Sequence, residues 1–165
     1  AQMEYHSGVI PAQGFTETLV KGRLLLVGDA AAQASPLVGE GIRFCLEAGR
    51  LAGEAAAKAV HRKDFNDAFL EKHYATVWRR RYGRDMRVAD EIQKVIVKYQ
   101  DTHWDERVRM MRRLTPKLFA AALGSDFRLS VLSEIMARNP AMLGRGIKRL
   151  MRTARSYRMP KGNPR

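Results

Sequence analysis

Residues 24–42 decide the reading of this chain: Leu24-Leu25-Leu26-Val27, then Gly28-Asp29-Ala30-Ala31-Ala32, then Pro36-Leu37-Val38-Gly39-Glu40-Gly41-Ile42. Four apolar residues without alternation predict a short buried strand. Gly28 and Asp29 end it, and Pro36, Gly39 and Gly41 punctuate the turn that follows. From Glu40 to Val60, Ile42, Leu46, Gly49, Gly53, Ala56 and Val60 recur at helical spacing, which predicts a helix with that stripe against its neighbours. The strand–loop–helix unit puts free helix N–H groups beside the carboxyl end of a strand, where α/β sheets bind anionic or polar groups.

The residue types suit a flat, electron-rich ligand. Gly39 and Gly41 lack Cβ, so a ring can lie against bare backbone. The helix N-terminus offers unpaired donors and about half a positive charge. Asp29 is an acceptor suited to sugar or polyol hydroxyls.

Gly28-Asp29-Ala30-Ala31, with Pro36 and then Gly39-Glu40-Gly41-Ile42, resembles the second FAD-binding motif of the geranylgeranyl reductase family, within the flavoproteins typified by aromatic hydroxylases. Gly8-Val9-Ile10-Pro11 upstream and Ala48-Gly49-Arg50-Leu51-Ala52 downstream are similar to that family too. The resemblance is specific over residues 5–60 and weaker, though compatible, to about 140. It implies an α/β fragment of a Rossmann-like, aromatic-hydroxylase-type FAD-binding fold over residues 1–60. A mainly helical region follows over 61–158, with a disordered tail at 159–165. It also implies FAD as cofactor, held by Gly28, Asp29, Ala30, Ala31, Pro36, Gly39, Glu40, Gly41 and Ile42. Asp29 would bond the ribityl chain, and the Gly39–Ile42 amides would face the flavin pyrimidine edge. Ala32 departs from the pattern, the family usually having Gly there; positive φ at an alanine would cost about 1 kcal/mol. A generic βα turn, with glycines for geometry alone, is the plainer alternative.

A chain of 165 residues supports one core. The dinucleotide fingerprint G-x-G-x-x-G is absent: Phe44 stands where Gly39-Glu40-Gly41 would need a third glycine, and Arg149 where Gly144-Arg145-Gly146 would. Flavoproteins of this type hold the FAD adenosine with such a motif near their N-terminus, so the expectation is the C-terminal part of a longer enzyme. Residues 1–60 carry 5 Lys/Arg against 6 Asp/Glu, and 61–165 carry 25 against 11, within a net charge of +13. A basic, helical second half suits an anionic partner; a solvated basic face is the unspecific alternative. One cysteine excludes an internal disulfide, and no apolar run is long enough to span a bilayer. The expected location is the cytoplasm, with any membrane role peripheral.

Residues 3–10 predict a strand ended by Pro11, with Tyr5 and His6 near the substrate side by resemblance and exposed strand residues otherwise. A turn is expected at Lys21-Gly22. Asp64-Phe65-Asn66-Asp67 predicts a helix start with an N-cap acid. A seam of Phe65, Phe69, Leu70, His73, Tyr74, Val77 and Trp78 follows, ended by Arg79-Arg80-Arg81. Further helices are expected around Met86–Tyr99 and Val108–Leu114, and after Thr115-Pro116 up to Gly124. Another starts at Ser125 and breaks at Asn139-Pro140. A final cationic, amphipathic helix near Leu143–Arg155 is the membrane-surface candidate.

The four histidines (His6, His61, His73, His103) form no close pair, and no metal site is expected. Nucleophile-elbow and phosphate-loop motifs are absent. Cys45 is expected to be buried, His73 to be structural, and the methionines to be core filler more than the lining of an isoprenoid slot. By resemblance, the leading function is an FAD-dependent reductase of isoprenoid double bonds. It would act on a prenyl lipid or prenyl diphosphate, with NAD(P)H or ferredoxin as reductant; the catalytic residues are unknown. An FAD-dependent aromatic hydroxylase is one alternative. The other is a basic helical module for an anionic membrane or nucleic acid, the interleaving of arginine with methionine favouring membrane.

Overall fold

The computed structural model describes residues 4, 7–11, 16–140 and 152. Within them the chain is mostly helical, with one two-stranded antiparallel sheet. The strands are β1 (Val20–Lys21) and β2 (Leu24–Leu25), paired Val20 to Leu25 and Lys21 to Leu24. Gly22, at φ 59°, makes the tight turn between them, as expected at Lys21-Gly22.

The motif strand is therefore shorter than predicted and only partly buried. Leu24 is 60% exposed, and Leu26 and Val27 leave the ladder. Among the described residues its only strand partner is β1, and no further strand shields both faces as a parallel sheet would. Residues 7–10 form no strand either. Val9 is 93% exposed, and among the described residues the segment has no strand partner to supply ladder bonds. Tyr5 and His6, the cationic helix after Leu143 and the tail lie outside the described residues, except for the isolated Arg152.

After β2 the chain makes a 3-10 turn, Gly28–Ala31, and a loop, and enters α1 (Ile42–Arg62). Next come α2 (Asp67–Leu70), a π-helical turn (Glu71–Ala75) and α3 (Thr76–Ile96). These three run on as one helical rod. The cap is Asn66, whose side chain accepts from the Phe69 N–H at 2.8 Å. Asp64, the expected cap, instead accepts from the Asn66 backbone. The three arginines do not stop the rod. Arg79 is buried, pairs with Glu71 and donates to the Glu17 carbonyl, so its charge has partners inside the fold and the helix runs on.

Three shorter helices complete the described chain: α4 (Asp101–Met111), α5 (Pro116–Leu123) and α6 (Leu129–Arg138). Thr115 caps α5 through its Oγ1, with Pro116 in the first turn and Gly124 at the end, as its sequence predicts. α6 begins four residues later than expected. Ser125 sits at φ 52° in the left-handed region, so the chain turns there before becoming helical at Leu129. Asn139 ends α6, as expected.

The buried stripe of α1 is not the predicted one. Phe44, Ala48, Leu51, Ala52, Ala55 and Ala59 face inward, whereas Ile42 is 79% and Leu46 72% exposed. Both stripes have helical spacing. Phe44 and Leu51 place the larger side chains in one of them, against Leu70, Tyr74 and Trp78 of the rod. Phe44 meets Trp78 and Tyr82 edge-on, with ring centroids 6.1 and 5.4 Å apart. Of the predicted seam, Leu70, Tyr74 and Trp78 are buried. His73 packs on Phe69 at 4.3 Å. A smaller core joins Val88 and Ala89 of α3 to Phe127 and Leu132.

Candidate functional site: the Gly28–Ile42 loop

The loop is built on backbone that glycine alone adopts freely. Gly28 has φ 64° and Gly39 φ 69°. At Gly28 a Cβ would also stand 3.0 Å from the Cys45 Sγ. Cys45 is exposed rather than buried, lying one position off the inward stripe of α1. Ala32 does adopt the left-handed conformation, with φ 51° and ψ 40°. Its N–H donates to the Asp29 carbonyl at 2.9 Å, which closes the turn and repays part of the strain.

Polar side chains hold the loop from behind. The Gly28 N–H donates to Gln33 Oε1 at 2.8 Å, and Gln33 Nε2 donates to the Tyr74 hydroxyl at 3.1 Å. Tyr74 in turn donates to the Leu26 carbonyl. Gln33 and Tyr74 are fully buried, and burial pushes the Tyr74 hydroxyl above its usual pKa. The sequence reading missed Gln33; a glutamine five residues after the motif glycine has no periodic signal. Further on, Ser35 accepts the Gly39 N–H at 2.8 Å through its backbone oxygen, and its Oγ lies 2.7 Å from that of Ser125.

The nine residues singled out in the sequence fall into three groups. Gly28, Ala31 and Pro36 are buried and shape the loop, whereas Asp29, Ala30 and Ile42 are exposed on it, with Gly39, Glu40 and Gly41 between. Asp29 is brought to the glycines: its Oδ1 lies 3.6 Å from where a Cβ on Gly41 would stand. Nothing comes within 4 Å of a Cβ placed on Gly39, so that backbone is bare. Of the four amides from Gly39 to Ile42, the first is taken by Ser35. Those of Glu40, Gly41 and Ile42 have no partner among the described residues.

Glu40 has a local task. Its carboxylate accepts the Arg43 N–H at 3.1 Å and pairs with the Arg43 guanidinium at 3.0 Å, occupying one donor at the mouth of α1. Arg43 also donates to the Gly124 carbonyl at 2.7 Å. The site thus offers one carboxylate, three free amides and bare glycine backbone on an open surface. That set can hold a polar, planar group by hydrogen bonds.

No protein-family model matches the chain. Among curated proteins it is similar to digeranylgeranylglycerophospholipid reductase 2 of Methanothermobacter thermautotrophicus, 30% identical over 142 residues, covering 86% of this chain and 34% of that protein. The protein of the same name from Methanopyrus kandleri is 29% identical over 141 residues, 86% of this chain and 35% of its own. Digeranylgeranylglycerophospholipid reductase 1 of Methanococcoides burtonii is 39% identical over 84 residues, 51% and 20% of the two chains. The chain spans about a third of the length of the first two relatives. All three relatives are reductases by name, and the resemblance of this chain to the geranylgeranyl reductase family is borne out.

Proposed function

We propose that this chain carries the isoalloxazine and ribityl side of an FAD site in a reductase of isoprenoid double bonds. The observation that carries the reading is the convergence of Asp29 on Gly41, beside bare Gly39 and the free amides of Glu40, Gly41 and Ile42. A flavin needs hydroxyl acceptors for its ribityl chain and donors for its pyrimidine edge, and these residues are of those types. FAD would supply hydride chemistry. Asp29 would accept ribityl hydroxyls. The three free amides and the α1 dipole would favour negative charge at the ring edge that they face. Gly28 and Pro36 would set the loop shape, with Ala30 and Ala31 keeping side-chain bulk away.

The relatives' names favour a prenyl glycerophospholipid as substrate, with NAD(P)H or ferredoxin as electron source. They also favour reduction over aromatic hydroxylation. Residues 1–60 are assigned to a Rossmann-like flavin domain and 61–158 to a helical region. The exposed Ile42 and Leu46 face of α1 is then the side on which further parts of the flavin fold pack. No helix among the described residues is long and apolar enough to cross a membrane.

The test is flavin absorbance of the full-length purified protein, parent against Asp29→Ala. Loss of a charge-accepting partner should weaken FAD retention about tenfold or more. Unchanged flavin content, with unchanged folding by circular dichroism, would overturn the assignment.

A further inference from the structure

The elbow between α3 and α4 holds a cavity of about 560 Å³, lined by Lys94, Val95, Lys98, Tyr99, His103 and Arg107 among others. Its cations are unequal. Lys94 is neutralised, with Asp90 at 2.6 Å and Glu91 at 3.3 Å. Neither Lys98 nor Arg107 has a carboxylate partner among the described residues.

Arg107 is held in place yet short of an acceptor. Its guanidinium lies 5.2 Å from the Tyr99 ring centroid. Tyr99 is stacked on His103 and met edge-on by Trp104, each at 5.7 Å. Among the described residues the guanidinium's one hydrogen bond is to the Met110 Sδ, at 3.1 Å, and its buried Nε has no partner. A guanidinium has five donors, and a thioether is a weak acceptor. Leaving such a group half-buried without an oxygen is costly. Beside it, Val95 and Val97 are 41% and 64% exposed and give the cavity an apolar wall.

We propose that this elbow is a seat for an amphipathic phosphate ester. Arg107 and Lys98 take the phosphate oxygens, and Val95 and Val97 contact the adjoining hydrocarbon. Arginine's planar fork suits phosphate oxygens, and lysine adds a point charge. The aromatic box of Tyr99, His103 and Trp104 fixes the fork before the ligand arrives, which lowers the ordering cost. This seat does not rest on the flavin reading: Asp29→Ala should leave it unchanged, so either assignment can fail alone.

The shared chemistry has two sources, a free ester or a headgroup in a bilayer. The full-length protein is titrated by calorimetry with hexyl phosphate and with inorganic phosphate. In parallel it is sedimented with vesicles of phosphatidylglycerol or of phosphatidylcholine. A free-ester seat binds hexyl phosphate more tightly than inorganic phosphate, and Arg107→Gln weakens it about tenfold or more. A headgroup seat instead shows phosphatidylglycerol-dependent sedimentation that Arg107→Gln removes. In either case Arg107→Lys, which keeps the charge, retains part of the binding. The proposal is overturned if neither probe binds, or if Arg107→Gln binds as the parent does. It is also overturned if Lys117→Gln, a cation outside the cavity, weakens binding as much as Arg107→Gln.

Discussion

Gln33 Nε2 donates to the Tyr74 hydroxyl across 3.1 Å, joining the loop after β2 to the π-helical turn 41 residues on. Tyr74 passes the link to the Leu26 carbonyl. Replacing it by Phe leaves one buried donor and one buried acceptor unpaired. Tyr74→Phe should cost about 1–3 kcal/mol, read as a lower denaturant midpoint with an unchanged slope.

Ala32 gives the opposite sign. At φ 51° it holds a conformation that glycine reaches without a Cβ penalty. Ala32→Gly should stabilise the protein by about 0.5–1 kcal/mol, the strain relief exceeding the extra backbone entropy of glycine. A lower melting temperature would show that the turn does not strain alanine.

Gly28 tolerates no such exchange. Gly28→Ala combines positive φ with a Cβ 3.0 Å from Cys45 Sγ. A loss of about 1–3 kcal/mol is expected. Adding Cys45→Ala should return part of it, since that removes the clash but not the φ penalty. A double-mutant cycle measures the difference.

Asp85 provides a pH signature. Burial raises its carboxyl above the ordinary range, more than Arg84, at 2.8 Å, lowers it. The folded state therefore binds this proton more tightly than the unfolded chain. The associated stability is full below pH 3.8, the ordinary value, and is lost as pH rises through the raised folded value. Asp85→Asn should thus be more stable than the parent at pH 7, with the gap closing towards pH 3.8 in parallel thermal melts. Asp126 runs the other way. Arg128 holds its carboxyl low, so its contribution is lost as pH falls, in parent and variant alike.

How legible this was in the sequence differs element by element. Thr115-Pro116, Gly124 and Asn139 were readable because caps are local: each acts on backbone within four residues. The Gly28–Ile42 motif was readable because its glycines answer local φ demands. Long-range partners were not. Nothing near Arg79 tells that Glu71 and the Glu17 carbonyl will neutralise it, so three arginines looked like a helix end. The stripe of α1 was ambiguous because alanines and glycines put small residues on both faces. Only the packing of Phe44 on Trp78 and Tyr82 chose between them. Leu24–Val27 misled for a related reason: an apolar run signals burial only when other strands exist to cover it.

The pairing of Ser35 with Ser125, at 2.7 Å, and of Arg43 with the Gly124 carbonyl, at 2.7 Å, ties both shoulders of the glycine loop to one corner between α5 and α6. That corner acts as a remote clamp. Any event that unseats it, such as a protease nick or a ligand prying α5 from α6, would slacken Gly39 without touching it, and affinity at the loop would report on a hinge some 90 residues downstream.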